Sequence, residues 1–172
     1  MEGRGDVMTG TAIPVALDPQ ALRGAFALHP SGVVAVCAIA AGERVGMAVS
    51  SFVPVSLEPA LVAICIHNTS STWPKLLCSE ELGISVLGAG HAGAARTLAS
   101  RSSDRFDGVE TEPGPAGALF IAGSPMTLQV SVHDIVAAGD HQLVLLAVRD
   151  ATVRDGHAPL VFHRSELRPL AR

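Results

Sequence analysis

Three short stretches of the 172-residue sequence concentrate side chains able to hold or act on a polar ligand. In "VSSFVPVSLEP", Ser50, Ser51 and Ser56 sit among apolar residues; in "HNTSSTWP", Asn68, Ser70, Ser71 and Thr72 precede Pro74; "AGDHQL" sets Gly139, Asp140 and His141 ahead of an apolar run. Hydroxyls and free amides beside a strand serve either loops that only turn or loops that hold a flat, polar or phosphorylated ligand. Where such a cluster opens a helix, unpaired N–H groups and the positive dipole end favour an anion, and the hydroxyls of Ser70 and Thr72 add donors. The same residues suit plain helix capping, and Ser50 and Ser51 suit a polar strand end. Gly-Asp-His reads as a tight turn that places His141 at the start of a strand, where its side chain can project into a cleft.

Bulk properties narrow the ligand. The net charge is −4 with scattered arginines, so the electrostatic footprint of nucleic-acid binding is missing. Aromatic residues make up 3% of the chain and tyrosine is absent, which leaves little for base stacking. No apolar run approaches the ~20 residues of a membrane span. "MEGRGDVMTGTA" lacks the basic region and apolar core of a secretion signal, so a soluble cytoplasmic protein is expected. Cys37, Cys65 and Cys78 are too widely spaced for a disulfide framework or a zinc site, and they read as reduced core thiols. A small, mostly neutral ligand fits better than nucleic acid or membrane.

The elements that must position these residues follow from composition. Residues 1–12 read as a frayed end, and one domain is expected over 13–172. "LDPQALRGAFALHP" predicts a short helix capped by Asp18, with Pro19 first and Leu22, Ala25 and Phe26 on one face. "GVVAVCAIA" and "VGMAVSS", separated by "AGER", predict a hairpin; "ALVAICI" and "GISVL" predict buried strands with a short helix at "STWPKLLCSE" between them. A helix over "GHAGAARTLASRSSDRF" leads to a Gly- and Pro-rich loop, "DGVETEPGPAG", and the strands "ALFIAG", "MTLQVSVHDIVA", "HQLVLLAVRDATV" and "PLVFHRS" complete the chain. Six or seven strands without a crossover helix after each exclude a doubly wound parallel sheet, and no G-x-G-x-x-G follows the first strand. The fold class is mainly β: an antiparallel barrel with a few short helices.

The ordered set "HPSGVVAV", "VGMAVSSFVPVSLEPALV", "NTSSTWPKL", "GISVLGAGH", "DRFDGV", "AGDHQLVLLAV" and "PLVFHRS" resembles the flavin reductase domain family over about Ala21 to Leu167. The resemblance implies an FMN-binding split β-barrel, a homodimer, and hydride transfer from NADH or NADPH to FMN or FAD. It also implies a flavin-dependent monooxygenase as the partner that receives reduced flavin. Onto this chain it maps flavin contacts at Val49, Ser50, Ser51, Phe52, Ser56, Leu57, Asn68, Ser70, Ser71, Thr72, Ala89, Phe106, Gly139 and Asp140, and it sets His141 beside the nicotinamide. Amides and hydroxyls around Ser50–Phe52 would meet the ring edge, where negative charge develops on reduction. Arg96, Arg101 and Arg105 are within possible reach of a phosphate; His29, His91 and His163 stay unassigned.

The chain departs from the family pattern at Pro54, at Glu58-Pro59-Ala60, at His67, where an amide side chain is frequent, and at Met126, where an aromatic residue is common. Only Pro54 removes a backbone donor. The rival readings are an oxidase of the pyridoxamine-phosphate-oxidase type and a nonenzymatic split-barrel dimer that binds flavin or haem.

Overall fold

The computed structural model describes residues 13–102 and 104–170, so the frayed end expected over residues 1–12 lies outside the described residues. Helix α1 (Pro19–Phe26) starts as the sequence predicts: Oδ1 of Asp18 accepts from the N–H groups of Gln20 and Ala21 at 3.0 and 2.9 Å. Its apolar face is not covered, and Phe26 is 70% exposed. The helix is joined to the body at its C-terminal end, where the N–H of Arg164 donates to the carbonyl of Ala27 at 2.8 Å.

Strands β1 (Ser31–Gly32), β2 (Val34–Ala40) and β3 (Glu43–Val49) follow, and β2 and β3 form the expected hairpin around Ala41 and Gly42, both at positive φ. The predicted strand at "ALVAICI" is β5 (Ala60–His67), and the segment before it, to which the sequence reading assigns no element, is also a strand: Val53–Leu57 forms β4, an antiparallel neighbour of β5. Alternation of Val53, Val55 and Leu57 with polar or Pro residues supports such a strand, and Pro54 is tolerated because β4 is an edge. Helix α2 (Trp73–Leu76) is only four residues long; β6 (Leu82–Val86) and α3 (Ala92–Ala99) come next. The Gly- and Pro-rich segment after α3, expected as loop, contributes β7 (Thr111–Pro113), paired with β8 (Leu119–Ile121). Two long strands, β9 (Met126–Ala138) and β10 (His141–Val153), form a hairpin whose two-residue turn needs Gly139 at φ +66. β11 (Leu160–His163) and β12 (Glu166–Pro169) close the described chain, and β12 adds a strand that sequence patterning did not separate from β11.

Seven strands make one antiparallel sheet in the order β3-β2-β6-β9-β10-β5-β4. Its inner face carries a core of Val34, Val36, Val62, Ile64, Leu82, Ile84, Leu128, Val130, Val144 and Leu146. On the other face of β2, Val33, Ala35 and Cys37 pack with Ala95 and Leu98 of α3, Leu119 and Ile121 of β8, and Leu160 of β11. β2 is thus buried on both faces, which accounts for its unbroken apolar sequence. Gly83 of β6 is required by close approach, since a Cβ there would lie 2.2 Å from the carbonyl oxygen of Leu119.

The first and last strands of the sheet order, β3 and β4, are consecutive in the chain and joined by Ser50–Phe52 without pairing to each other. The barrel is therefore split along this seam. Mainly-β antiparallel architecture with few short helices agrees with expectation. The cysteines agree only in part: all three are free, but only Cys37 is buried, while Cys65 and Cys78 are exposed because each takes an outward position. Among the described residues no helix is long and apolar enough to cross a membrane.

Candidate functional site

Strand β3 borders three clefts in turn along its length. Beside its first half, Glu43 to Gly46, lies a polar cleft of about 290 Å³ lined by Ser71, Thr72, the cations Arg44, Lys75, Arg101 and Arg105, and the carboxylates Glu43 and Asp104. Beside Met47 to Ser51 lies one of about 340 Å³, at the barrel seam, lined also by Cys65, His67, Ser70 and His141. Ala48, Val49 and Ser50 also border a third, mostly apolar cleft of about 500 Å³, bounded by Val33, Ala95, Arg96, Ala99, Phe162 and Leu167. Charge is thus concentrated at one end of the series, hydrogen-bonding groups at the centre and apolar surface at the other end.

At the seam, the hydroxyl of Ser51 donates to the carbonyl of Cys65 at 3.0 Å and accepts from the Cys65 N–H at 2.9 Å. The register explains this pairing. Val53 pairs with Ala63, so Ser51 stands opposite Cys65, and its side chain takes the place that a backbone pair would hold in a continued ladder. The Ser51 hydroxyl, expected as a ligand donor, is therefore used within the protein. What the loop Ser50–Phe52 offers to a ligand is backbone and the exposed Ser50 hydroxyl, while Phe52 packs on the barrel core.

In the second cluster the sequence expectation of a helix start is met in a shortened form. Thr72 makes no side-chain cap; instead the hydroxyl of Ser70 accepts from the N–H of Trp73 at 3.2 Å. Thr72 Oγ1 accepts from Arg105 at 2.8 Å, and the same guanidinium reaches the Gly46 carbonyl at 3.4 Å. Arg105 consequently ties α2 to β3 across the cationic cleft. Phe106 is buried against this cleft, with the Arg44 guanidinium 4.9 Å above its ring.

The Gly139-Asp140 turn is clamped from β5. The Asn68 N–H donates to the Asp140 carbonyl at 2.9 Å, and Nδ2 of Asn68 donates to the Gly139 carbonyl at 3.1 Å. Asn68 thus positions the turn through its backbone. Oδ1 of Asp140 lies 2.6 Å from Nδ1 of His141, and this hydrogen bond holds the Asp140 carboxyl below the usual carboxylate range. Asp140 Oδ2 is 3.8 Å from Nε2 of His67, whose ring meets that of His141 edge-on at 4.9 Å.

The fold therefore brings together Val49, Ser50, Ser51, Ser70 and His141 at the seam, with Gly139 and Asp140 forming the turn that carries His141, and Ser71, Thr72 and Phe106 at the cationic cleft. Ser56 and Leu57 stand on edge strand β4, Leu57 pointing to solvent, and Ala89 lies beside Ala158, its N–H donating to that carbonyl at 2.8 Å; none of the three lines these clefts. Arg101 and Arg105 join the cationic cleft, whereas Arg96 borders the apolar one. Arg44, Lys75 and Cys65 are cleft residues that sequence reasoning missed. Lys75 carried a legible signal, three residues after Thr72 at the start of a helix; Arg44 and Cys65 reach the site only through strand pairing. His91 is structural: Nδ1 accepts from the Gly88 N–H at 3.0 Å and Nε2 lies 3.1 Å from the Ala122 carbonyl.

A split antiparallel barrel with phosphate-compatible, polar and apolar clefts along one strand suits a ligand that combines an anion with a flat ring. The profile of the Flavin reductase like domain matches residues 26–171, and the chain belongs to that family of oxidoreductases. It is 35% identical over 164 residues to the NADH:riboflavin 5'-phosphate oxidoreductase of Streptomyces pristinaespiralis, covering 92% of this chain and 93% of the relative. It is 29% identical over 157 residues to the flavin-dependent monooxygenase reductase subunit HsaB of Rhodococcus jostii, covering 91% and 80%. Among solved structures, the NADH:FAD oxidoreductase SgcE6 of Streptomyces globisporus, in complex with NAD and FAD fragments, superposes with a TM-score of 0.86 at 34% identity, covering 93% of this chain and 98% of that one.

Proposed function

We propose that this protein is an NAD(P)H:flavin oxidoreductase that binds FMN or FAD along β3 and accepts NADH or NADPH beside His141. The carrying observation is the shared border: β3 and its continuation, Glu43 to Ser51, line the cationic cleft and then the seam cleft in succession. Arg44, Lys75, Arg101 and Arg105 would hold the flavin phosphate, assisted by Ser71 and Thr72. Backbone groups of Ser50–Phe52 would meet the polar edge of the ring, and their fixed orientation favours charge that develops there. When bound, the flavin supplies the hydride acceptor, and the nicotinamide supplies the hydride. The protein's part is to align the two rings at roughly 3 to 3.5 Å and exclude other poses, which requires no side-chain nucleophile.

The family resemblance also supports a homodimer and a flavin-dependent monooxygenase as recipient of the reduced flavin. Within the described residues, Val53, Val55 and Leu57 on edge strand β4, with Val132, Ile135 and Val136 on the distal arm of β9, form exposed apolar surface suited to a second copy. Three free thiols fit a reducing, cytoplasmic setting. Steady-state oxidation of NADH and NADPH with FMN, FAD and riboflavin tests the activity. Nicotinamide oxidation that depends on added or bound flavin is the expected result; none with any of the three flavins would overturn it.

A further inference from the structure

His67, Asp140 and His141 form a linked group at the mouth of the seam cleft that goes beyond placing a histidine near nicotinamide. The N–H of Thr69 lies 3.1 Å from Nδ1 of His67 and can only donate, so that nitrogen accepts and the neutral His67 ring carries its proton on Nε2. The Thr69 hydroxyl is also directed at Nδ1, at 2.8 Å. Nε2 of His67 lies 3.8 Å from Oδ2 of Asp140, beyond hydrogen-bond distance. The other oxygen of Asp140 can only accept when ionised, so the 2.6 Å contact to Nδ1 of His141 is made by an Nδ1–H donor. In neutral His141 the lone pair then resides on Nε2, which has no protein partner among the described residues. Asn68 holds both turn carbonyls, which fixes the backbone from which Asp140 and His141 project.

We infer that Asp140 is a positioning residue that sets the tautomer of His141, so that Nε2 accepts a hydrogen bond from the carboxamide N–H of the nicotinamide instead of donating to its carbonyl. His67 packs its ring edge-on against His141 and stands 3.8 Å from the second oxygen of Asp140 without a hydrogen bond to it. The chemistry recognised is a primary carboxamide beside the hydride-bearing ring. This inference rests on the assignment of His141 to the nicotinamide.

The test compares NADH with its reduced 3-acetylpyridine analogue, which keeps the carbonyl but has no N–H to donate. For each protein the ratio of kcat/KM between the two donors is measured. Their intrinsic difference in reducing power is common to all variants and cancels when those ratios are compared. The wild-type protein should favour NADH by an additional factor of roughly five to ten relative to Asp140→Ala, the value of one hydrogen bond, with the loss falling mainly on KM. Asp140→Asn, which preserves size but can donate its amide N–H to Nδ1 and so stabilise the opposite tautomer, should lose the preference for NADH at least as fully as Asp140→Ala. His141→Ala should show the same ratio as Asp140→Ala, and flavin affinity, measured alongside, should stay at the wild-type value in His141→Ala. An unchanged donor ratio in Asp140→Ala and Asp140→Asn, with a changed one in His141→Ala, would overturn the tautomer assignment alone. If His141→Ala too leaves NADH kinetics and the ratio unchanged, the placement of nicotinamide at His141 fails with it.

Discussion

The two ends of the polar cleft are built from similar residues and do different work. At the cationic end, Ser71 and Thr72 stand among Arg44, Lys75, Arg101 and Arg105, so an anion there meets charge and side-chain donors directly. At the seam end, the Ser51 hydroxyl is engaged by the Cys65 backbone and the Asp140 carboxylate by His141, so the side chains arrange one another and leave backbone groups, the Ser50 hydroxyl and one imidazole nitrogen for the ligand. The difference teaches that a run of hydroxyls near a strand need not point at a ligand. One end holds by charge, and the other holds by preorganised geometry. Binding and reduction should therefore be separable by mutation.

The largest separation is expected at His141. His141→Ala should lower the second-order rate of flavin reduction roughly 5- to 150-fold, the consequence of losing about 1 to 3 kcal/mol of contact with the nicotinamide. Flavin affinity should remain nearly unchanged, and saturating NADH should recover part of the loss. Stopped-flow bleaching of the flavin band, paired with a flavin titration, checks both halves. A variant that fails only because it no longer binds flavin would erase the distinction between the two ends.

The cationic end should show the reverse behaviour. Riboflavin, which lacks the phosphate, should bind at least roughly tenfold more weakly than FMN, because each charge-assisted hydrogen bond is worth about 1.5 to 3 kcal/mol. Arg105→Ala should lower FMN affinity more than riboflavin affinity and so compress the ratio between them. Equal dissociation constants for FMN and riboflavin in the wild-type protein would remove the phosphate from this cleft.

Ser51 sharpens the comparison from the other side. Ser51→Ala removes both hydrogen bonds to Cys65 and frees the loop, and should weaken FMN and riboflavin alike by roughly 5- to 30-fold, since one or two ordinary hydrogen bonds of about 1 kcal/mol are lost. Ser51→Thr retains the hydroxyl and should restore affinity. Fluorescence quenching titrations of both flavins measure this; a loss confined to FMN would place Ser51 with the phosphate instead.

What could be read from sequence follows the same division. The helix at Asp18–Pro19, the β2–β3 hairpin, the buried strand β5 and the Gly-Asp-His turn all carry local signals: a cap, a Gly turn, an apolar run, a residue at positive φ. β4 carried a weaker one: Val53, Val55 and Leu57 alternate, but Pro54 and Ser56 disguise an edge strand whose partner among the described residues, β5, follows a turn at Glu58-Pro59. The cationic cleft was half legible. Ser71, Thr72 and Arg105 could be named, but Arg44 enters from a strand 27 or more positions away and only the antiparallel order brings it there. The engagement of the Ser51 hydroxyl depends on the 51-to-65 register, which no local pattern encodes. The apolar face of α1 was legible as a pattern, yet its exposure was not, since covering it depends on surfaces outside the helix.

The smallest effect separates the interior from the seam through the thiols. Cys37 is fully buried between β2, α3 and β8, and desolvation pushes its pKa up to about 12, so it stays protonated and inert at neutral pH. Cys65 and Cys78 are exposed, and Cys65 lines the seam cleft. A thiol reagent should therefore label two cysteines of the native protein quickly and the third only after denaturation. Bound flavin should slow labelling of Cys65 and leave Cys78 as before, with peptide mapping by mass spectrometry telling them apart. The sign of the linkage at Cys37 is also fixed: its raised folded-state pKa means that the unfolded chain loses this proton first, so its contribution to stability is intact at neutral pH and declines as pH rises from about 9 towards about 12. Cys37→Ala should abolish that part of the alkaline loss. Equal protection of Cys65 and Cys78 by flavin would show that the seam is not where the ring binds.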